Sequence, residues 1–136
     1  MAERRQAYLG FYSSLRGSVE SLTRIVAFVR NEDGQFTEYE DEYLDTVTGK
    51  AFDALNDGRE LVPDVELYCT AEAADIARLA RTEMSDVLYF LDAVSPIQRA
   101  TPIEIVDMLD TNQIVVLADR MRSFRAQARK DLGIPE

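Results

Sequence analysis

The chain has 136 residues, 46% of them hydrophobic, a formal net charge of -10, one cysteine and no histidine. A chain of that size builds one domain with its own core, and without histidine it has no Ser-His or Cys-His nucleophile pair, no imidazole zinc site and no histidine pH switch. The lone Cys69 closes no internal disulfide, and the acidic balance disfavours a surface that binds nucleic acid as a whole.

The first helix is expected over Glu3 to Arg30. Tyr8, Tyr12, Leu15, Val19, Leu22, Val26 and Val29 recur there at spacings of 4, 3, 4, 3, 4 and 3, the heptad pattern of left-handed helix packing. A second line of small residues, Gly10, Ser14, Gly17 and Ser21, lets another backbone come close. Glycine inside a helix costs about 1 kcal/mol, so two on one line favour a contact. Asn31-Glu32-Asp33-Gly34 reads as a turn, and Thr37-Glu38-Tyr39-Glu40 as a capping box.

A second helix follows from Glu38 to Asn56, with Leu44, Val47, Ala51, Ala54 and Leu55 at helical spacing and Asn56-Asp57-Gly58 as its stop. A small meander over 44–62, turning at Thr48-Gly49 and Asp57-Gly58, is the competing reading; the poor alternation favours helix. Residues 59–69, with Pro63, read as a connection. The central helix then runs from Thr70, its N-cap, to Val94, where Ser95-Pro96 ends it. Its apolar residues, Leu79 and Met84 among them, cover about half the circumference, wider than a surface helix needs. Thr101-Pro102-Ile103-Glu104 starts a short helix through Leu109, and Asp110 to Gln113 cap a last helix that Gly133 and Pro135 end. The expected fold is a single all-α domain over 1–136, a compact bundle of about five helices with the helix near 71–94 inside and the first helix alongside it.

No basic-then-apolar leader precedes the first helix, and the longest aliphatic run, Ile114 to Ala118, is far short of the roughly 20 apolar residues of a membrane span. The expectation is a protein of the cytoplasm, or of a particle assembled there, with no membrane contact.

The charge is segregated. Residues 31–66 carry 12 acids against Lys50 and Arg59, and the other 100 residues carry 13 acids and 13 bases. Within that segment Glu38, Asp41, Glu42 and Asp45 fall at i, i+3, i+4 and i+7, on one helix face, where like charges repel by a few tenths of a kcal/mol per pair. A cation or a basic partner surface would offset this. On the central helix Glu83 projects among apolar residues, and on the last helix Arg125 is read as facing the buried stripe. A buried charge without a mate costs several kcal/mol, so these two form the expected buried ion pair.

Glu42-x-x-Asp45 and Glu83-x-x-Asp86 are acid pairs at i, i+3, able to present two oxygen ligands to a divalent ion. The run from Glu83 to Leu91, EMSDVLYFL, resembles the second metal-binding motif of the all-α NTP pyrophosphohydrolases of the MazG type. That resemblance implies magnesium held by Glu83 and Asp86, with Glu42 and Asp45 standing in for the upstream motif, and cleavage of a nucleoside triphosphate to monophosphate and pyrophosphate. The upstream pair departs from the family by ending in aspartate. Arg120, Arg122, Arg125, Arg129 and Lys130 give the last helix a basic end that could imitate a DNA-recognition helix, although Ile114 to Leu117 would put apolar residues where base-reading groups belong.

The reading that these features favour is non-enzymatic and needs no cofactor: an assembly, scaffold or regulatory module docking on protein partners through the acidic face and a helical seam, with self-association into a homo-oligomer through the first helix. A magnesium-dependent pyrophosphohydrolase and a nucleic-acid binder using the last helix are the alternatives.

Overall fold

The computed structural model describes residues 2–31, 38–94 and 111–134; the side chains of residues 28–31, 38–45, 90, 92–94 and 111 lie outside that description. Four helices make up the described chain: α1 (Ala2–Asn31), α2 (Glu38–Tyr68), α3 (Ala71–Val94) and α4 (Thr111–Asp131). The expected all-α bundle is present, without a strand among the described residues. The short helix expected from Pro102 to Leu109 lies outside them.

Each helix packs on two neighbours. α1 lies against α2 and α4, and α3 lies against α2 and α4, so α1 sits diagonally from α3 rather than alongside it. Neighbours run antiparallel: Arg4 Nε, near the start of α1, donates to the Tyr68 carbonyl at the end of α2 (3.1 Å), and Thr70 Oγ1, at the start of α3, donates to Asp131 at the end of α4 (2.6 Å).

Both lines on α1 pack inside the single chain, partly or fully buried wherever their side chains are described. Tyr8, Leu15, Leu22 and Val26 enter the core, joined by Phe11, which the heptad reading passed over and which meets Phe124 edge to face with ring centroids 4.8 Å apart. The small-residue line faces α2: a Cβ on Gly17 would lie 3.5 Å from Ala54 Cβ, and one on Gly10 3.8 Å from Leu61 Cδ1. The α1 seam from which self-association was expected is therefore largely taken up inside the bundle.

α2 is one helix of 31 residues, so the stop expected at Asn56-Gly58 and the connection expected over 59–69 are both corrected. Val47, Ala51, Leu55, Gly58, Val62 and Val65 form its buried line. Gly58 is a packing residue, not a cap, since an added Cβ would lie 2.7 Å from Met84 Cε on α3 and 3.6 Å from Ser14 Cβ on α1. Pro63 remains inside the helix on its exposed side. A helix-interior proline costs about 3 kcal/mol, and burial of Val62 and Val65 on either side offsets that at roughly 1.5 kcal/mol or more each. The carbonyl left without its donor belongs to Arg59, an exposed residue that water reaches.

Thr70 caps α3 as expected, its Oγ1 accepting from the Ala73 amide at 3.3 Å. The buried face of α3 centres on Ala73, Ala77, Ala80, Met84 and Val87, and it leaves Leu79 49% exposed, outside the apolar stripe to which the sequence assigned it. α4 buries Leu117 and Phe124 fully. It ends on Gly133 at φ 70°, with the Ile134 amide donating to the Arg129 carbonyl and the Gly133 amide to that of Lys130. That left-handed residue and its pair of hydrogen bonds form a Schellman stop, as the sequence signalled.

Candidate functional site

Because α2 runs unbroken past Gly58, it gathers acids that the sequence reading had divided between a helix and a loop. Asp53, Asp57, Glu60 and Asp64 follow one another at spacings of 4, 3 and 4, which places them on one face, and all four are exposed. None of them forms an ion pair with a described residue. Leu67, 71% exposed, continues the line one turn beyond Asp64. The last turn of α2 has no basic residue, so the helix dipole leaves this negative face uncompensated as well. Among the described acids of α2, Glu66 is ion-paired, accepting from Arg78 of α3 at 3.0 Å.

The acidic positions named from sequence, Glu38, Asp41, Glu42 and Asp45, occupy the first two turns of the α2 backbone, and their side chains lie outside the described residues. Glu42 precedes Asp53 by eleven residues, close to three full turns, and so belongs by position to the same face.

Of the two acid pairs of the magnesium reading, the side chains of Glu42 and Asp45 lie outside the described residues, so only Glu83 and Asp86 are placed. Glu83 is otherwise engaged, since Arg120 Nε donates to its Oε1 at 2.9 Å and to its Oε2 at 3.3 Å. No group of three or more Asp, Glu, Cys or His is placed to hold a metal among the described residues. Asp86 is exposed and shares a hollow of about 160 Å³ with Glu83, Asn112, Gln113 and Val116.

The expected buried pair of Glu83 with Arg125 is corrected: the partner is Arg120, and Arg125 lies exposed. The stripe read from sequence, Ile114, Leu117, Ala118, Met121, Phe124, Ala128 and Leu132, weights its members alike, whereas the deepest residues of α4 are two of them, Leu117 and Phe124. That shift turns the Arg120 flank toward α3. The pair is only partly buried, with 21% of the Glu83 side chain and 34% of the Arg120 side chain exposed. Of the other basic residues of α4, Arg122 pairs with Asp119 at 2.6 Å, and Lys130 is exposed.

A separate polar cluster closes the opposite end of the bundle. The Asp131 carboxylate accepts from the Tyr8 hydroxyl, from Thr70 Oγ1 (2.6 Å) and from Gln127 Nε2 (2.8 Å), tying α4 to α1 and to the α2–α3 junction. Burial alone would raise the Asp131 pKa, but these hydrogen bonds and the nearby Arg4 charge outweigh it and hold the carboxyl below its ordinary range. Burial, reinforced by the hydrogen bond to Asp131, pushes Tyr8 up to about 12. Burial likewise pushes the adjacent Cys69 thiol up to about 11, which makes it a poor nucleophile at neutral pH. A protonated phenol and a protonated thiol around a fully satisfied carboxylate make this cluster a fastening between helices. From sequence Tyr8 is only a heptad position and Thr70 only a cap, and nothing singles out Asp131.

Comparison with known proteins gives no matching family model, no matching curated protein and no matching solved structure.

Proposed function

We propose that this chain is a non-enzymatic docking module whose α2 face receives a Lys/Arg-rich surface of a protein partner. The observation that carries the reading is the row Asp53, Asp57, Glu60 and Asp64, exposed, evenly spaced and in no ion pair with a described residue. Like charges at that spacing destabilise their own helix, and although Lys50 stands three residues before Asp53 and Arg59 beside Glu60, neither forms an ion pair with the row, which fits a cation supplied from outside. Leu67 at the end of the row offers an apolar contact beside the charges. Charge complementarity of this kind raises association rates and selects partners, and it weakens as salt rises.

A labelled helical peptide with lysines at spacings of 4, 3 and 4 provides the probe. Titrated with the protein and followed by fluorescence anisotropy, it should bind in low salt and lose about tenfold or more in affinity for D53N/D57N/E60Q/D64N. A control neutralised at Glu3, Glu20, Glu72 and Asp119 carries the same net charge and should bind nearly as well as the wild type. Equal losses in the two variants would reduce the effect to net charge and sink the reading.

A further inference from the structure

A second surface, on α3 and α4, carries its own inference, independent of the acidic face. Four-helix packing buries one side of each helix and here leaves two neighbouring heptad rows partly or fully exposed. On α3 the row is Glu72, Ile76, Leu79, Glu83 and Asp86, and on α4 it is Val116, Arg120, Ser123, Gln127 and Lys130, both spaced 4, 3, 4, 3. Among the described residues the groove between them is bridged by one ion pair, Glu83 with Arg120. On one side of that bridge lies the hollow beside Asp86. On the other lies a hollow of about 460 Å³ lined by Ile76, Ser123, Ala126, Gln127, Lys130 and Ile134. Leu79 stands half exposed between the bridge and this larger hollow, and Ile134 is exposed at its far end.

We infer that this groove is the contact between two copies of the chain, related by a two-fold axis running along it. Such an axis keeps every residue at its own level and lays α3 of one copy on α4 of the other. The charges favour this occupant because they are divided by helix, with acids on the α3 row and bases on the α4 row. Glu72 lies eleven residues before Glu83, and Lys130 ten residues after Arg120, so in the antiparallel pair they share a level on opposite lips of the groove. Neither forms an ion pair with a described residue of its own chain. Under the two-fold, Glu72 of each copy faces Lys130 of the other, and Leu79 reaches the partner's larger hollow at the level of Ser123. Self-complementary contacts of this kind are isologous, so each pair occurs twice. The rows extend over about 21 Å and two helix widths, below the usual size of a stable interface, and the dimer is therefore weak.

Sedimentation velocity over chain concentrations from about 10 μM to about 1 mM reads it directly. The wild type should follow a monomer–dimer equilibrium. E72K and K130E should each weaken it about tenfold, since two symmetric attractions become repulsions, and E72K/K130E should return it to within about threefold of wild type. Leu79→Arg should abolish the dimer without altering the helical circular dichroism. D53N/D57N/E60Q/D64N should leave the constant unchanged, so this test and that of the acidic face fail separately. A monomer at every concentration, association without saturation, or a dimer indifferent to the swap would overturn the assignment and leave the groove to a different occupant.

Discussion

Neutralising the α2 row with isosteric amides, D53N/D57N/E60Q/D64N, should make the protein more stable. Three neighbour pairs vanish: Asp53 with Asp57 and Glu60 with Asp64 at i, i+4, and Asp57 with Glu60 at i, i+3. At about 0.2 to 0.5 kcal/mol each they sum to about 1 kcal/mol; losing the attraction of Lys50 for Asp53 at i, i+3 takes back about 0.3 kcal/mol, and removing the Asp64 charge near the negative end of the helix dipole adds about 0.3 kcal/mol. Asparagine and glutamine match the helix propensities of the acids closely enough that backbone preference contributes little. For a chain of this length, a gain of about 1 kcal/mol raises Tm by about 4 °C. Urea unfolding followed by far-ultraviolet circular dichroism in dilute buffer measures it. Repeating it in about 1 M salt, where the Debye length falls to about 3 Å, should erase most of the difference. A variant no more stable than wild type in dilute buffer would mean that the row already has counter-charges, and the argument for an external cation would fail with it.

Asp131→Ala should lower stability by about 2 to 3 kcal/mol, because the nearly inaccessible Tyr8 hydroxyl loses a charged acceptor while Thr70 and Gln127 can turn to water. Asp131→Asn should cost less, and a double-mutant cycle with Tyr8→Phe should show coupling; additivity would mean that the hydroxyl and carboxylate do not act together. The same cluster sets a pH dependence. Tyr8 keeps its proton in the folded state up to about 12 against 10.0 unfolded, so its contribution is complete below pH 10.0 and is lost as pH rises from there through about 12. The Asp131 contribution is present above 3.8 and is lost as pH falls below that value through its lower folded pKa. Stability profiles of wild type and Tyr8→Phe should diverge across the alkaline window, and parallel profiles would contradict the assignment. Gly58→Val should destabilise by about 2 to 3 kcal/mol by driving a branched side chain into Met84, and G58V/M84A should recover part of it in the same unfolding assay. Glu83→Ala and Arg120→Ala should each cost about 1 kcal/mol, as a partly exposed pair does, with Arg125→Ala within about 0.5 kcal/mol of wild type; a larger loss at Arg125 would restore the pairing read from sequence.

The helices were legible where local signals act alone. Thr70 and Gly133 mark ends because a side-chain oxygen and a left-handed residue satisfy backbone groups within a few positions. The small-residue line on α1 was legible too, since glycine inside a helix is costly unless a neighbour comes close. Gly58 and Pro63 misled for a long-range reason. What holds α2 together there is Met84, Val62 and Val65 in the core, and nothing in the local sequence shows that a glycine receives a methionine from another helix. From that one boundary followed the larger miss, the row from Asp53 to Asp64. Unbroken periodicity of the acids across Gly58 was the signal that could have found it. Arg120 was passed over because a helical wheel weights every apolar residue alike, whereas packing singles out Leu117 and Phe124. The fastening at Asp131 joins residues 8, 70 and 131, a coincidence that only the folded chain creates.

Backbone amide chemical-shift mapping with the lysine-rich peptide tests the central claim most directly. The account predicts that the perturbed amides run from Asp53 to Leu67 along α2 and leave α4 untouched. Perturbations scattered over the surface, or gathered between α3 and α4, would contradict it.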